Sequence, residues 1–312
     1  MLDRISLLAA KLESTVGTDA TPSGADATDN IFNAKIEPLI EMEERESQGG
    51  FDRLPAQSQA RQAKVTFKTY MEWDGSATEP SWAEKFFPAC GWVKSSQTYS
   101  PKSAATGTTT SDPRSLTFSH YVNDVLRKVT GAVGNFKATL VAGKLAWIDW
   151  EFMGCWGGET DASILTPTYT ANTNYKWASG VCQWNDVELR AAQAVIDSGN
   201  TIHMREDPST ASGYIAGIIT DRYPKITIDP EKVLVATQDR HGSWLSNTEY
   251  ALELHLGGVS NSKLQFDAPK AQIMKITHAD RDKLTVDSVE MACNKNGATH
   301  DACLSITFTA SS

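Results

Sequence analysis

Lys64-Val65-Thr66-Phe67-Lys68-Thr69-Tyr70-Met71-Glu72-Trp73 alternates apolar and polar side chains with the two-residue period of a half-buried β-strand. Val65, Phe67, Met71 and Trp73 fall on one face, and Lys64, Lys68 and Glu72 on the other. Leu145-Ala146-Trp147-Ile148-Asp149-Trp150-Glu151-Phe152-Met153 reads differently. Apolar residues occur on both of its faces, which predicts a central strand covered from two sides. Strands are predicted further over 116–122, 125–129, 134–141, 187–196, 201–206, 214–220, 225–229, 249–256, 271–277, 284–291 and 304–308. In the alternating run 249–256, Tyr250, Leu252, Leu254 and Leu256 share the apolar face. One short helix is expected, opened by Ser81-Trp82-Ala83-Glu84 with capping-box spacing and running through Phe86-Phe87. Many short strands and little helix predict a mainly β protein, a sandwich or barrel with one flanking helix.

The flanking segments read as surface. Residues 1–34 carry Gly17, Pro22, Gly24 and few large apolar groups after Leu12, which predicts an extended N-terminal arm. Leu2, Ile5, Leu8 and Leu12 have partial helical spacing that an extended strand would also satisfy. The acidic run Glu37, Glu41, Glu43, Glu44 and Glu46 passes through Gly49-Gly50 into a polar stretch ending at Ala63, and predicts a solvated loop. Residues 95–115, rich in Ser and Thr, predict a second surface loop. A softer stretch near 160–167 divides the chain into an arm over 1–34, a first β domain over 35–163 and a second over 164–312. Lys144-Leu145-Ala146-Trp147 through Glu151-Phe152 lays without gaps on Lys283-Leu284-Thr285-Val286 through Glu290-Met291, which suggests two copies of one sheet unit.

The 312-residue chain has 29 Lys and Arg against 38 Asp and Glu, a formal net charge of −9, which argues against gripping nucleic-acid phosphates. No run approaches the roughly 18–20 apolar residues of a membrane span. After Met1-Leu2-Asp3-Arg4 only Ile5 to Ala10 are apolar before Lys11, shorter than the about 7–15 residues of a signal core, so no secretory signal is expected. Cys90, Cys155, Cys182, Cys293 and Cys303 are odd in number and widely spaced, and read as reduced thiols. Cys293 and Cys303 bracket a turn and form the one pair suited to a hairpin cross-link.

Motifs for chemistry are lacking. The six histidines include no His-Glu-x-x-His spacing, and there is no Cys-x-x-Cys, no Gly-x-Ser-x-Gly elbow and no phosphate-binding loop. Asp149 with Glu151, or Asp287 with Glu290, would be the carboxylate pairs to consider for a glycosidase, but such residues are ordinary on a sheet surface. No catalytic residue, cofactor or metal ligand is expected, and the chain is not read as an enzyme.

Several segments resemble one family. Leu7-Leu8-Ala9-Ala10-Lys11-Leu12-Glu13-Ser14-Thr15-Val16-Gly17-Thr18-Asp19-Ala20-Thr21-Pro22 is similar to the start of tail tube (major tail) proteins of tailed bacteriophages. Gly131-Ala132-Val133-Gly134-Asn135-Phe136, Ala142-Gly143-Lys144, Glu151-Phe152-Met153-Gly154, Gly199-Asn200-Thr201, Ile219-Thr220-Asp221-Arg222-Tyr223-Pro224 and Ala279-Asp280-Arg281-Asp282-Lys283-Leu284 follow in family order. Val16 replaces the usual Tyr and Val133 the usual Arg, while 95–115 and 160–185 match nothing in the family pattern.

The resemblance implies a structural virion protein, assembled in the host cytoplasm, whose sheets join edge to edge into rings. Stacked rings form a hollow tail tube that delivers DNA without binding it specifically. The implied partners are further copies of this chain and the tail terminator, distal tail and tape measure proteins, with no membrane. Two tube units per chain would give a trimeric ring, and one elaborated unit a hexameric ring. Leu8, Leu12, Val16, Pro22, Glu43, Glu44, Glu46 and Phe51 are the expected contacts between rings. Val65, Phe67, Trp147, Trp150, Leu252 and Leu254 are expected in the inter-subunit sheet or the core. The channel lining is expected to be acidic, so that it repels phosphate. Another self-assembling β-sandwich (a capsid decoration or pilus-like subunit) is the alternative, followed by a carbohydrate-binding or hydrolytic sandwich.

Overall fold

The computed structural model describes residues 5–28, 30–76, 78–103, 112–169, 173–257 and 263–310. With 61% strand and 6% helix the protein is mainly β, and no closed barrel is found among the described residues. The first half holds β1 (Ser6–Leu12), β2 (Ile31–Glu46), β3 (Arg53–Tyr70), β4 (Glu72–Trp73), α1 (Ser81–Ala89), β5 (Trp92–Ser95), β6 (Thr98–Pro101), β7 (Leu116–Val122), β8 (Val125–Val141) and β9 (Trp147–Asp161). The second holds β10 (Thr173–Asn174), β11 (Cys182–Trp184), β12 (Val187–Glu188), β13 (Ala191–Asp197), β14 (Asn200–Glu206), β15 (Tyr214–Arg222), β16 (Lys225–Pro230), α2 (Arg240–Leu245), β17 (Glu249–Gly257), β18 (Lys263–Arg281), β19 (Leu284–Cys293) and β20 (Ser305–Thr309).

One antiparallel sheet runs through both halves in the order β12-β11-β17-β18-β19-β16-β13-β8-β9-β3-β2. Its two runs share a neighbour order: β1-β7-β8-β9-β3-β2 in the first half and β11-β17-β18-β19-β16-β13 in the second. The seam between them is β13 on β8, with Val195 opposite Thr139 and Ile196 opposite Ala138. Here β13 takes the same edge of β8 that β7 takes further toward the N-terminus, while β9 takes the other.

The core explains why the aromatic positions matter. Trp82, Phe86 and Phe87 of α1 are buried against Phe67 of β3, Trp150 of β9, Phe136 of β8 and Tyr99 of β6, with ring centroids 4.9 Å (Phe67–Phe86), 5.2 Å (Phe86–Trp150), 5.3 Å (Phe87–Phe136) and 5.0 Å (Phe87–Tyr99) apart. Two of the buried indole N–H groups are satisfied locally: Trp150 donates to Thr69 Oγ1 at 2.8 Å and Trp82 to the Glu72 carbonyl at 3.0 Å. The helix starts differently from expectation. Pro80 is the N-cap and the Ser81–Glu84 box does not form, because Pro80 leaves Ser81 already inside the first turn, and Glu84 turns to Lys94 at 3.3 Å.

Three surface expectations are corrected. The arm over 1–34 is not free, because β1 pairs with β7 along its whole length and Leu7, Leu8, Ala9 and Ala10 are buried. A strand covered on both faces shows no alternation, so its sequence does not look like a strand. The acidic stretch is no loop either: β2 and β3 form a hairpin paired from Ile31–Thr69 out to Glu46–Arg53, whose outer half is exposed on both faces. Finally, β5 and β6 occupy the start of the expected 95–115 loop and bury Tyr99. Residues 104–111 and the expected helical position Leu2 lie outside the described residues.

Candidate assembly surface

The polar face of the sheet is built from cross-strand ion pairs. Lys64 on β3 meets Glu151 on β9 at 2.8 Å, Lys68 meets Asp149 at 2.7 Å, and Lys225 on β16 meets Glu290 on β19 at 3.2 Å. Lys137 and Asp197 bridge the seam at 3.1 Å. Period-two alternation puts these residues opposite the buried face, and antiparallel pairing sets each acid beside a lysine. Lys35 also pairs with Glu37 and holds that carboxyl below its usual range. Asp149, Glu151 and Glu290 are thereby engaged. Asp287 is different, buried between Arg240 (3.3 Å) and His278 (2.6 Å). Among the described residues no group of three or more His, Cys, Asp and Glu could hold a metal.

The same rungs occur twice. Ile36, Val65 and Phe152 sit side by side across β2, β3 and β9, as Ile196, Ile226 and Met291 do across β13, β16 and β19. One rung further, Lys35, Thr66 and Glu151 parallel Val195, Thr227 and Glu290. Lys64-Val65-Thr66-Phe67 thus corresponds to Lys225-Ile226-Thr227-Ile228, and the Lys64–Glu151 bridge to Lys225–Glu290.

Two strand edges of the sheet are open among the described strands. The terminal strand β2 pairs only with β3. The other open edge lies within the order: β18 pairs with β17 through Gln272, but from Ile273 to Arg281 its partners come only from β19, and α2 packs nearby with His241 stacked on His278 at 5.5 Å. Large apolar residues gather near each edge. The β2–β3 hairpin exposes Leu39, Ile40, Met42, Phe51 and Leu54, with Phe51 fully exposed. Near the other edge Met274 of β18 and Leu245 of α2 are exposed, and Leu234 and Val235 are exposed in the segment that joins β16 to α2. Unlike patches at two separate edges are the mark of a head-to-tail contact.

The expected contact residues divide between these environments. Glu43, Glu44, Glu46 and Phe51 lie on the exposed hairpin, where Glu44 pairs with Arg53 and Glu43 accepts from Gln59 at 3.0 Å. Val16 is exposed, whereas Leu12 is half-buried against the core. Leu8 and Pro22 are corrected: both are buried within their own chain and present no surface to a neighbouring ring. Val65, Phe67, Trp150, Leu252 and Leu254 are core residues on strands paired along both edges. Trp147 is half-buried, donating to Asp149 at 3.0 Å beneath the Lys68 ammonium. No protein-family model and no curated protein matches this chain.

Glu13 is a residue that sequence reading missed. Its buried carboxylate accepts from Gly17 N–H (2.7 Å), Ser115 Oγ (2.5 Å), Thr117 Oγ1 (2.8 Å) and Gly131 N–H (2.7 Å), tying the end of β1 to β7 and β8. Its partners are scattered along the sequence, so no local motif announces it.

Proposed function

We propose that this chain is a structural subunit of a phage tail tube, built of two related β units, that polymerises into rings stacked around a DNA channel. The observation that carries the reading is the doubled strand order with two unlike open edges. Natural sheets shield or shorten their edges, because an exposed edge recruits other strands. A chain that keeps two such edges, one continuing into the hairpin that exposes Phe51 and one beginning beside exposed Met274, is suited to joining copies of itself. A heterologous contact repeated with a closing rotation makes a ring.

If each chain supplies two units, three chains close a pseudo-sixfold ring, and six chains are the alternative. The polar face then lines the channel. Its acids are matched by Lys64, Lys68, Lys137 and Lys225, so the lining is charge-paired and differs from the net-acidic wall expected from composition. Lysines already held by carboxylates are poor grips for phosphate, which lets DNA slide. Tail terminator, distal tail and tape measure proteins remain the partners implied by the resemblance, and no catalytic step is assigned to the chain.

Negative-stain microscopy of the purified full chain over a concentration series tests this. Rings or tubes with threefold end-on symmetry are expected. Persistent monomers at high concentration reject the assembly reading, and glycan binding by such monomers favours the carbohydrate-binding alternative.

A further inference from the structure

We infer that the interface between copies reproduces the seam inside the chain: β2 of one copy pairs with Ile273–Arg281 of β18 in the next, and the outer β2–β3 hairpin clasps over that neighbour's second half. The inference rests on the assembly reading above and adds the partner edge, its register and a role for the hairpin within one ring.

The matched rungs fix the register. Lys35, Ile36 and Glu37 occupy the places of Val195, Ile196 and Asp197. On the receiving side, Trp147 opposite Thr139 corresponds to Val286 opposite Ala279, and Ile148 opposite Ala138 to Asp287 opposite His278. Because Val195 faces Thr139 and Ile196 faces Ala138 at the seam, Lys35 comes to face Ala279 and Ile36 to face His278 of the neighbour. The receiving edge follows β17 on β18 in the way that the occupied edge follows β7 on β8. Ala138 is buried at the seam, whereas His278 and Ala279 are exposed, as an unfilled copy of that seam requires.

The clasp follows from the second hairpin. From Ala191 to Glu206, β13 and β14 match the 16 residues of β2, but the chain bends at Gly199 and β14–β15 forms a separate two-stranded sheet. That hairpin arches over the first half. Ala216 abuts Gly131 of β8, the Tyr214 carbonyl accepts from Cys155 of β9 at 3.3 Å, and the Ser212 carbonyl accepts from the Arg61 N–H of β3 at 2.9 Å. Beyond Arg61 the β2–β3 hairpin has no such bed among the described residues, and Leu39, Ile40, Met42, Phe51 and Leu54 face solvent. The corresponding bed on the second half includes a groove lined by Arg222, Tyr223, Pro224, Lys295, His300 and Asp301. Lys295 and Arg222 outweigh Asp301 and leave it net cationic. The incoming hairpin carries Glu41, Glu43, Glu44, Glu46 and Asp52 against Arg45 and Arg53, so the charges are complementary.

Paired cysteines test the register in the full chain. Lys35→Cys with Ala279→Cys is oxidised under assembly conditions, and Val195→Cys with Thr139→Cys serves as the in-chain control. Rings in the microscope together with a covalent ladder ending at a closed trimer on non-reducing gels are expected. Rings without a ladder, while the control oxidises, overturn the interface and leave the assembly reading standing. Absence of rings in the unsubstituted protein overturns both. Hydrogen exchange on that unsubstituted protein gives a readout free of folding artefacts: assembly should slow exchange about tenfold or more at 35–37, 277–281 and 39–57. Protection confined to 35–37 and 277–281 removes the clasp.

Discussion

Lys137 on β8 and Asp197 on β13 form an ion pair at 3.1 Å across the seam that makes two strand runs into one sheet. Both side chains are substantially solvated, so the pair itself is worth no more than about 0.2–1 kcal/mol. Ile196, next to Asp197, is fully buried. Ile196→Ala should therefore lower stability by about 2–5 kcal/mol, whereas Asp197→Asn should cost less than about 1 kcal/mol. One apolar cluster contains residues from both halves, so urea unfolding of Ile196→Ala should shift a single transition rather than split it.

Leu8 gives the second test. It is 4% exposed within the core cluster, on a strand hydrogen-bonded to β7. Leu8→Ala should lower stability by about 2–5 kcal/mol, and deletion of residues 1–12 should unfold the protein outright. A deletion variant with unchanged thermal stability would mean that β1 contributes nothing.

Glu13→Ala strands four donors, each costing about 1–3 kcal/mol where water cannot replace the carboxylate. Glu13→Gln keeps one acceptor oxygen and should fall between wild type and Glu13→Ala in chemical denaturation. Equal losses for the two variants would argue against hydrogen bonding as the cause.

Gly199 has φ +62°, and a Cβ there would lie 1.9 Å from the Tyr223 carbonyl oxygen. Gly199→Ala must move backbone, with a cost of at least about 1–3 kcal/mol. The strain falls on the bend between β13 and β14. Faster proteolysis within 200–222 should accompany the lost stability.

The cysteines give a pH dependence. Burial raises the thiols of Cys90, Cys155, Cys182 and Cys303 above their ordinary value of 9.0, Cys182 to about 12. The folded chain holds these protons more tightly than the unfolded one, so this contribution is complete below pH 9.0 and is lost as pH rises above it. Stability should decline from about pH 9 upward, and native thiols should react with a disulfide reagent far more slowly than the same chain in denaturant.

Sequence alone reveals strands where one face is wet and the other dry. Val65 and Phe67 alternate against Lys64 and Lys68, and β3 is plain to see. It misses β1, where Leu7 to Ala10 are buried without alternation, and the outer part of β2, where Leu39, Ile40 and Met42 stand exposed among glutamates. The repeated strand order has a trace in Lys144 and Lys283, and a stronger one in Lys64-Val65-Thr66-Phe67 against Lys225-Ile226-Thr227-Ile228, which only the matched rungs bring to notice. Glu43, Glu44, Glu46 and Phe51 were legible as surface. The open edges were not, because an edge is a property of which strands pair and not of any strand's composition.

The glutamates of the hairpin bear on what a lone chain avoids. Two copies of β2 laid against each other would crowd Glu41, Glu43, Glu44 and Glu46 of one upon those of its twin, and Pro38 offers no N–H to such a pairing. The open stretch of β18 carries Lys275, His278 and Arg281 against the single acid Asp280 and presents less repulsion. The open strand β2 is thus a poor match for a second β2, and its glutamates and Pro38 oppose amyloid-like stacking of one hairpin on another.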